Sequence, residues 1–293
     1  MRIAIVGRGE WLIESTKEIM QYGEILLVIT AKGDNHYRTS FDSYRELARR
    51  IGAKFIESPP SDAELHNLLI NENIDIVCSA NYPQTISTQN LRIPKYGWLN
   101  AHPAPLPKYR GNACPNWAII NNEESYEIVV HEMSDILDGG PVFSRYKFNL
   151  TSETYISNIY EIMIAQYPSL FSKAIDMKIQ NIAGEEQNEE LASYSYPRRK
   201  NDSRINWNQK TDNVLRLIRA SSHPFFGAHA IAMGSEIHIF KAKEIESPKI
   251  YHAIPGQILF SSDKSFLVKT IDGLLEVTEW APKFPMSRLT RLE

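Results

Sequence analysis

The chain has 293 residues, with 32 Lys and Arg against 35 Asp and Glu and a formal net charge of −3. At roughly 100–200 residues per domain this length can bury two cores. An apolar content of 43% with 23% charged residues excludes a disordered or fibrous chain. The near-neutral balance gives no broad basic field, so nucleic acid is not the expected partner.

Cys78 and Cys114 are too few for a disulfide framework and lack metal-ligand spacing. They read as reduced thiols with packing roles in a cytoplasmic protein. Met1 to Gly7 has no signal-peptide order, and no apolar run approaches the roughly 18 residues that a bilayer crossing needs. No membrane partner is expected.

Arg2 to Gly7 is a short β-branched run ending in glycine and followed by a helical pattern from Trp11 to Gln21. Ile25 to Thr30 repeats the strand pattern, and Tyr44 to Ile51 the helix, closed by Gly52. Lys54 to Ile56 reads as a third strand, Ala63 to Asn71 as a helix and Ile74 to Ala80 as another buried strand. Strands alternating with helices predict an α/β fold with a doubly wound, mostly parallel sheet.

Trp98 to Asn100 looks like a strand end, and four prolines then fall between Pro103 and Pro115, which predicts a fixed loop. Glu127 to Met133 and Val142 to Phe148 read as a strand pair, and Glu153 to Ile179 as a long helix or helix pair. Residues 1–180 therefore form one domain. The polar stretch 181–204 reads as a linker, and residues 205–293 as a smaller β-rich, barrel-like domain. Its expected elements are a helix at Asp212 to Ser221 and strands at Ile237 to Ile245, Gln257 to Phe260, Ser265 to Lys269 and Leu274 to Trp280.

The glycines of Gly7-Arg8-Gly9-Glu10 do not complete a dinucleotide fingerprint, because Leu12 stands where the third glycine belongs. A tight turn there can still present N–H groups to a phosphate. A stronger signal is the run from Asn100 to Gly111. Asn100 and His102 lie two apart at a strand end, so they share a face and enter a proline-stiffened turn at the carboxyl edge of the sheet. A second signal is Asp138-Gly139-Gly140-Pro141, a carboxylate in a tight turn that also fits a simple turn cap.

Together these segments resemble the 10-formyltetrahydrofolate-dependent formyltransferase family. That family carries an Asn-x-His at a strand end, then Leu-Pro and Arg-Gly, with Asp-x-Gly roughly 38 residues after the Asn. Asn100, His102, Leu106-Pro107, Arg110-Gly111 and Asp138-Gly139-Gly140 fill those places in order. Arg204 to Trp207, Arg219 to Ala228 and Pro255 to Ile258 resemble the family's carboxyl-terminal barrel, so the likeness spans essentially the whole chain. It implies a Rossmann-like catalytic domain, a smaller OB-like second domain, and Asn100, His102 and Asp138 as the catalytic triplet. Asn100 would donate to the developing oxyanion, His102 would take a proton or support that oxyanion, and Asp138 would orient the imidazole. No metal is required.

Where the family usually has Ser-Leu-Leu-Pro, this chain has Ala104-Pro105-Leu106-Pro107. The run Asn112 to Ile119, with His131 and Met133, resembles the branch that formylates amino sugars on nucleotides. The expected acceptor is accordingly a dTDP- or UDP-linked amino dideoxy sugar on the way to a cell-surface glycan such as lipopolysaccharide. Methionyl-tRNA is the main alternative; a non-catalytic folate-binding protein and glycinamide ribonucleotide as acceptor are weaker ones. The segment Ala31 to Asp42 carries two cations and two anions, which disfavours tRNA, and Arg198-Arg199-Lys200 is the one basic cluster.

Expected donor contacts are Asn81, Tyr82, Ala104, Pro105, Leu106, Pro107 and Gly139. Expected substrate contacts are Gly9, Trp11, Lys108, Arg110 and Trp117, although both tryptophans also suit a core. The β-rich domain could pair two subunits into a homodimer.

Overall fold

A computed structural model describes residues 1–32, 39–247, 249–283 and 286–293. Part of the segment Ala31 to Asp42, whose charge balance bears on the acceptor, therefore lies outside the described residues. The chain forms two compact units. One comprises Met1–Cys114, Ser125–Asn149 and Tyr160–Tyr196, and the other Pro115–Glu124, Leu150–Ile159 and Pro197–Glu293.

In chain order the first elements are β1 (Arg2–Gly7), α1 (Glu10–Ile19), β2 (Glu24–Ile29), α2 (Phe41–Ile51), β3 (Lys54–Ile56), α3 (Asp62–Asn71), β4 (Ile76–Ala80), α4 (Thr88–Leu91) and β5 (Trp98–His102). There follow β6 (Arg110–Gly111), α5 (Cys114–Ile120), β7 (Ser125–Glu132), β8 (Val142–Asn149), α6 (Ile156–Ile179) and β9 (Tyr194–Ser195). The main sheet has seven strands in the order β3-β2-β1-β4-β5-β7-β8. β3, β2, β1, β4 and β5 run parallel, and β7 and β8 complete the sheet antiparallel.

The strand order reverses between β1 and β4, and there the two backbones nearly touch. A Cβ on Gly7 would stand 1.9 Å from the Ala80 carbonyl oxygen, at a φ of +146°. Only glycine lets β1 end against β4 at that spacing. On one face of the sheet Ala4, Val6, Leu27, Ile29, Val77 and Trp98 pack against Leu65 and Leu69 of α3. Ser61 starts α3 with reciprocal bonds: its Oγ accepts from the Glu64 N–H at 3.3 Å, and the Glu64 carboxylate accepts from the Ser61 N–H at 2.8 Å.

Two local readings change, and one left open is resolved. The proline-rich stretch ends sooner than its proline content implies, because α5 begins at Cys114 and takes Pro115 into its first turn. Proline is tolerated there, where its missing N–H has no helical partner to lose. Pro168 likewise lies inside α6 without dividing it in two. Much of the stretch read as a linker is built into the first unit, since β9 pairs in parallel with β6.

The second unit contains α7 (Thr211–Ser221), β10 (Ala228–Ala232), β11 (Ser235–Glu244), β12 (Ile258–Ser261), β13 (Phe266–Lys269) and β14 (Leu274–Ala281). The strands make one curled antiparallel sheet in the order β10-β11-β14-β13-β12. Ile237, Ile239, Phe266, Val268, Val277 and Trp280 are buried together with Val214 and Ile218 of α7. β10 has no counterpart in the sequence reading. Its Ala-rich composition is a weak strand signal, and it returns through Met233 and Gly234, both at positive φ, which is the geometry of a two-residue hairpin turn.

The terminal segment joins the two edges of the curl. Ile231 and Glu293 exchange backbone bonds of 2.8 and 2.9 Å, the Leu292 N–H reaches the Gly256 carbonyl at 2.8 Å, and the Ile258 N–H reaches that of Thr290 at 3.1 Å. The expected barrel is thus a half-barrel sheet closed by a strap. Among the described residues no helix is long and apolar enough to cross a membrane.

Candidate active site

Register builds the site. Asn100 on β5 lies directly opposite His131 on β7, and directly opposed residues of an antiparallel pair project to the same face. Asn100 Nδ2 lies 3.2 Å from His131 Nε2, while His131 Nδ1 lies 2.8 Å from the Glu132 carbonyl. The Asn100 amide carries two N–H donors, so it keeps at least one for another oxygen.

His102, two residues on from Asn100 and 5% exposed, has both ring nitrogens engaged. Nε2 is 3.1 Å from the Tyr109 carbonyl, and Nδ1 is 3.5 Å from Asp138 Oδ2. Asp138 Oδ1 lies 3.6 Å from His131 Nε2, and Oδ2 accepts the Gly111 N–H at 2.8 Å. Asn100 and His102 share a face as their spacing predicts, and Asp138 joins them as the family resemblance implies, with His131 beside all three. The sequence reading used His131 only as a marker of a subfamily. The available signal was the strand pairing, since any β5–β7 register that puts Val129 opposite His102 puts His131 opposite Asn100.

Burial works against a charge on His102, but the Asp138 carboxylate, helped by the Cys114 sulfur, carries the imidazole up to about 9. Burial also opposes the charge on Asp138, yet His102, His131 and the Gly111 N–H hold its carboxyl well below the usual carboxylate range. The pair is thus imidazolium and carboxylate at neutral pH. Cys114, read as a packing residue, borders the site with its sulfur 3.7 Å from His102 Nε2.

The loop that carries Asp138 is held from behind. Asp138 sits at a φ of +49°, a region uncommon outside glycine that Asp enters more readily than most residues and that its surroundings here reinforce. Gln187 supplies that hold, donating its amide N–H groups to the Asp138 and Gly140 carbonyls at 2.7 Å each. Its own carbonyl accepts from Arg110 Nε at 3.2 Å and Nη2 at 2.9 Å.

Arg110, expected to touch the substrate's phosphates, is instead wholly buried, with Glu189 taking both terminal nitrogens at 2.9 and 2.6 Å. It braces the loop and has no open face for a ligand. The proline turn is fixed in turn by Leu106, which packs on Val129 and Val142, and by the Tyr126 hydroxyl on the Pro103 carbonyl at 2.6 Å.

The remaining expected contacts divide. Gly9 is buried and its carbonyl accepts the Tyr44 hydroxyl at 2.9 Å, while Trp11 is 3% exposed and stacked on Tyr160 with ring centres 5.7 Å apart. Both serve the core, as does Ala104, which is fully buried. Trp117 is half-buried on α5 and falls in the second unit. Lys108 is exposed at the tip of the proline turn, and Pro105, Pro107 and Gly139 are half-buried. Asn81 and Tyr82 are half-buried beyond the end of β4, where Arg8 Nε donates to the Asn81 carbonyl at 3.0 Å and burial pushes the Tyr82 hydroxyl up to about 12.

Residues 1–175 match the formyl transferase family, and residues 198–288 match the formyl transferase C-terminal domain. Methionyl-tRNA formyltransferase from Caldanaerobacter subterraneus subsp. tengcongensis is 27% identical over 286 residues, covering 95% of this chain and 91% of that protein. The bifunctional polymyxin resistance protein ArnA of Wigglesworthia glossinidia brevipalpis is 33% identical over 187 residues, 63% of this chain and 28% of its own length.

Among solved structures, the sugar 3N-formyl transferase WlaRD, crystallised in the presence of dTDP and 5-N-formyl-THF, superposes with a TM-score of 0.69 at 20% identity, covering 97% of this chain and 99% of that one. HypX from Aquifex aeolicus in complex with tetrahydrofolic acid gives 0.63 at 19% identity over 96% of this chain and 44% of the other. At such identities the structural likeness is one of fold. With the family match spanning both units and the Asn100, His102 and Asp138 cluster in place, the chain belongs to the formyltransferase family.

Proposed function

We propose that the protein transfers the formyl group of 10-formyltetrahydrofolate to the primary amine of a nucleotide-linked amino dideoxy sugar. The donor supplies an electrophilic formyl carbon on a nitrogen that leaves as N–H. One proton must move from the attacking amine to that nitrogen as one C–N bond forms and the other breaks.

The chain's groups suit this exchange. Asn100 offers an amide N–H to the formyl oxygen as negative charge gathers there, a contribution of about 3–4 kcal/mol. His102, already cationic beside Asp138, stabilises that charge through space and does not compete for the amine's proton. Asp138, 13% exposed, orients the imidazolium and passes the amine's proton through water to the leaving nitrogen. Ile136 and Leu137 are exposed on the same turn and give apolar surface for a flat donor. Asn81, Tyr82, Pro105, Pro107 and Gly139 complete the donor's expected surroundings, and Lys108 is the cation left for the acceptor's phosphates.

The observation that carries the acceptor is the pairing of charges in the second unit. Lys200 meets Glu236 at 2.8 Å, Lys241 meets Glu279 at 3.2 Å and Lys243 meets Glu276 at 3.1 Å. Arg198 turns inward to the Asp202 carbonyl and the Ser203 and Ser221 hydroxyls. Lys200 of the basic cluster and the β11 lysines are paired with carboxylates where they stand, and Arg198 is turned inward, which favours a small acceptor over a nucleic-acid backbone.

Methionyl-tRNA remains the second reading, because relatives 23–28% identical along nearly the whole chain bear that name. Presenting dTDP- and UDP-linked amino sugars and charged initiator tRNA with one formyl donor, while following tetrahydrofolate release, decides between them. Faster turnover on tRNA than on every sugar nucleotide overturns the sugar assignment.

A further inference from the structure

Apart from the formyl-transfer site, the second unit contains a cavity of about 170 Å³ formed by the end of α5, the turn after β8 and the last turn of α7. Leu150 supplies apolar wall, Thr151 and Ser152 polar wall, and Arg219 reaches in from α7. Arg219 is only 6% exposed. A guanidinium carries five N–H donors, yet Arg219 Nη1 makes one bond, to the Thr151 carbonyl at 2.7 Å, and the buried Nε has no acceptor. No carboxylate among the described residues pairs with it; Asp212, on the same helix, is taken by Arg216 at 2.5 Å.

The helix end offers only partial compensation, since the Ala220 carbonyl already accepts the Asn116 amide at 2.8 Å and Arg198 Nη1 at 3.5 Å. The contrast with Arg110 is direct. That more deeply buried arginine has Gln187, Glu189 and the Tyr194 hydroxyl on its nitrogens. A buried cation with donors to spare, facing a cavity, is costly unless an anion completes it. Burial lowers the Arg219 pKa, as expected for a cation that lacks a close counter-ion.

We propose that this cavity binds a small oxyanion, of the size and charge of inorganic phosphate or a short carboxylate, on the Arg219 guanidinium and the Ser152 hydroxyl. Glu123 and Glu124 also line the cavity, and their repulsion weakens, without abolishing, the anion's hold on Arg219. The site is independent of the formyl acceptor, so its failure leaves the transferase reading intact, and the reverse also holds.

Calorimetric titration of the full chain with sodium phosphate and, separately, sodium acetate at constant ionic strength tests it. Thermal midpoints measured in the same solutions provide a second readout. Saturable binding of one molecule of either anion is expected. Phosphate alone points to a phosphoryl source, and acetate alone to a carboxylate. Arg219→Gln and Ser152→Asp should each weaken that binding at least ~10-fold, and Glu124→Gln should tighten it. Ser152 is exposed, so its variant remains decisive even if Arg219→Gln fails to fold. Absence of saturable binding by both anions, or wild-type affinity in Ser152→Asp, overturns the proposal.

Discussion

A histidine held as a cation by its neighbours has a different pH signature from a general base. His102 is raised to about 9, so the form proposed to support the oxyanion is present throughout the neutral range and disappears as pH climbs past that value. The expected kcat/KM profile therefore falls on its alkaline side near pH 9, whereas a neutral-base role would make the rate rise there. Asp138→Asn removes the main charge that raises the imidazole, so that limb should shift to lower pH and overall turnover should drop.

Stability follows the same linkage. His102, raised above its ordinary value of about 6.5, contributes fully below that pH and loses its contribution as pH rises through the folded value. Asp138, depressed below about 3.9, contributes above that pH and loses its contribution as acid titrates it. The pair's full effect thus lies between about pH 4 and 6.5, measurable as the difference in thermal midpoint between wild type and Asp138→Asn across that range. Asn100→Ala and His102→Ala should each cost about two to four orders of magnitude in turnover with the fold retained. A variant with near-normal turnover would remove its residue from the constellation.

Between elements, the alignment of β5 with β7 and the clasp on the Asp138 loop decide whether those groups meet. Gln187 touches nothing that reacts, but it ties the Asp138 and Gly140 carbonyls to Arg110. Gln187→Ala should let the carboxylate drift from the imidazole, lowering kcat by about 10-fold or more while KM changes little. The alkaline limb should move down in pH as well, and a pure stability defect would leave that limb in place.

The parallel half of the sheet was legible because its signals are local: β-branched runs, Gly52 closing α2, and Asn100 and His102 two apart at a strand end. The clasp was not, because it joins residues 77 and 79 positions apart, and no periodicity encodes such a contact. Arg110 shows why a motif alone misleads. The same guanidinium chemistry serves a phosphate or a buried carboxamide, and only its full burial distinguishes the two. β10 leaves little trace in the sequence for a plainer reason, since alternating alanines carry little hydrophobic contrast.

At the scale of the molecule, a net charge of −3 and paired surface charges should make acceptor binding respond weakly to salt. A sugar nucleotide presents about two phosphate charges, whereas a tRNA contact engaging several phosphates loses orders of magnitude in affinity between about 50 and 200 mM salt. Measuring the acceptor's KM across that range checks the assignment independently of any comparison of rates.

The strap across the second unit has a kinetic consequence. Residues 290–293 bond both to β10 and to the start of β12, so the two edges of the curled sheet are fastened by one short segment. Neither edge is secured until that segment docks, and releasing it frees both at once. Native-state hydrogen exchange should therefore find the amides of Ile231, Ile258, Leu292 and Glu293 opening as one cooperative group with a shared free energy. A backbone proline at Leu292 would remove the N–H that reaches Gly256, and exchange at Ile231, on the opposite edge, should accelerate with it.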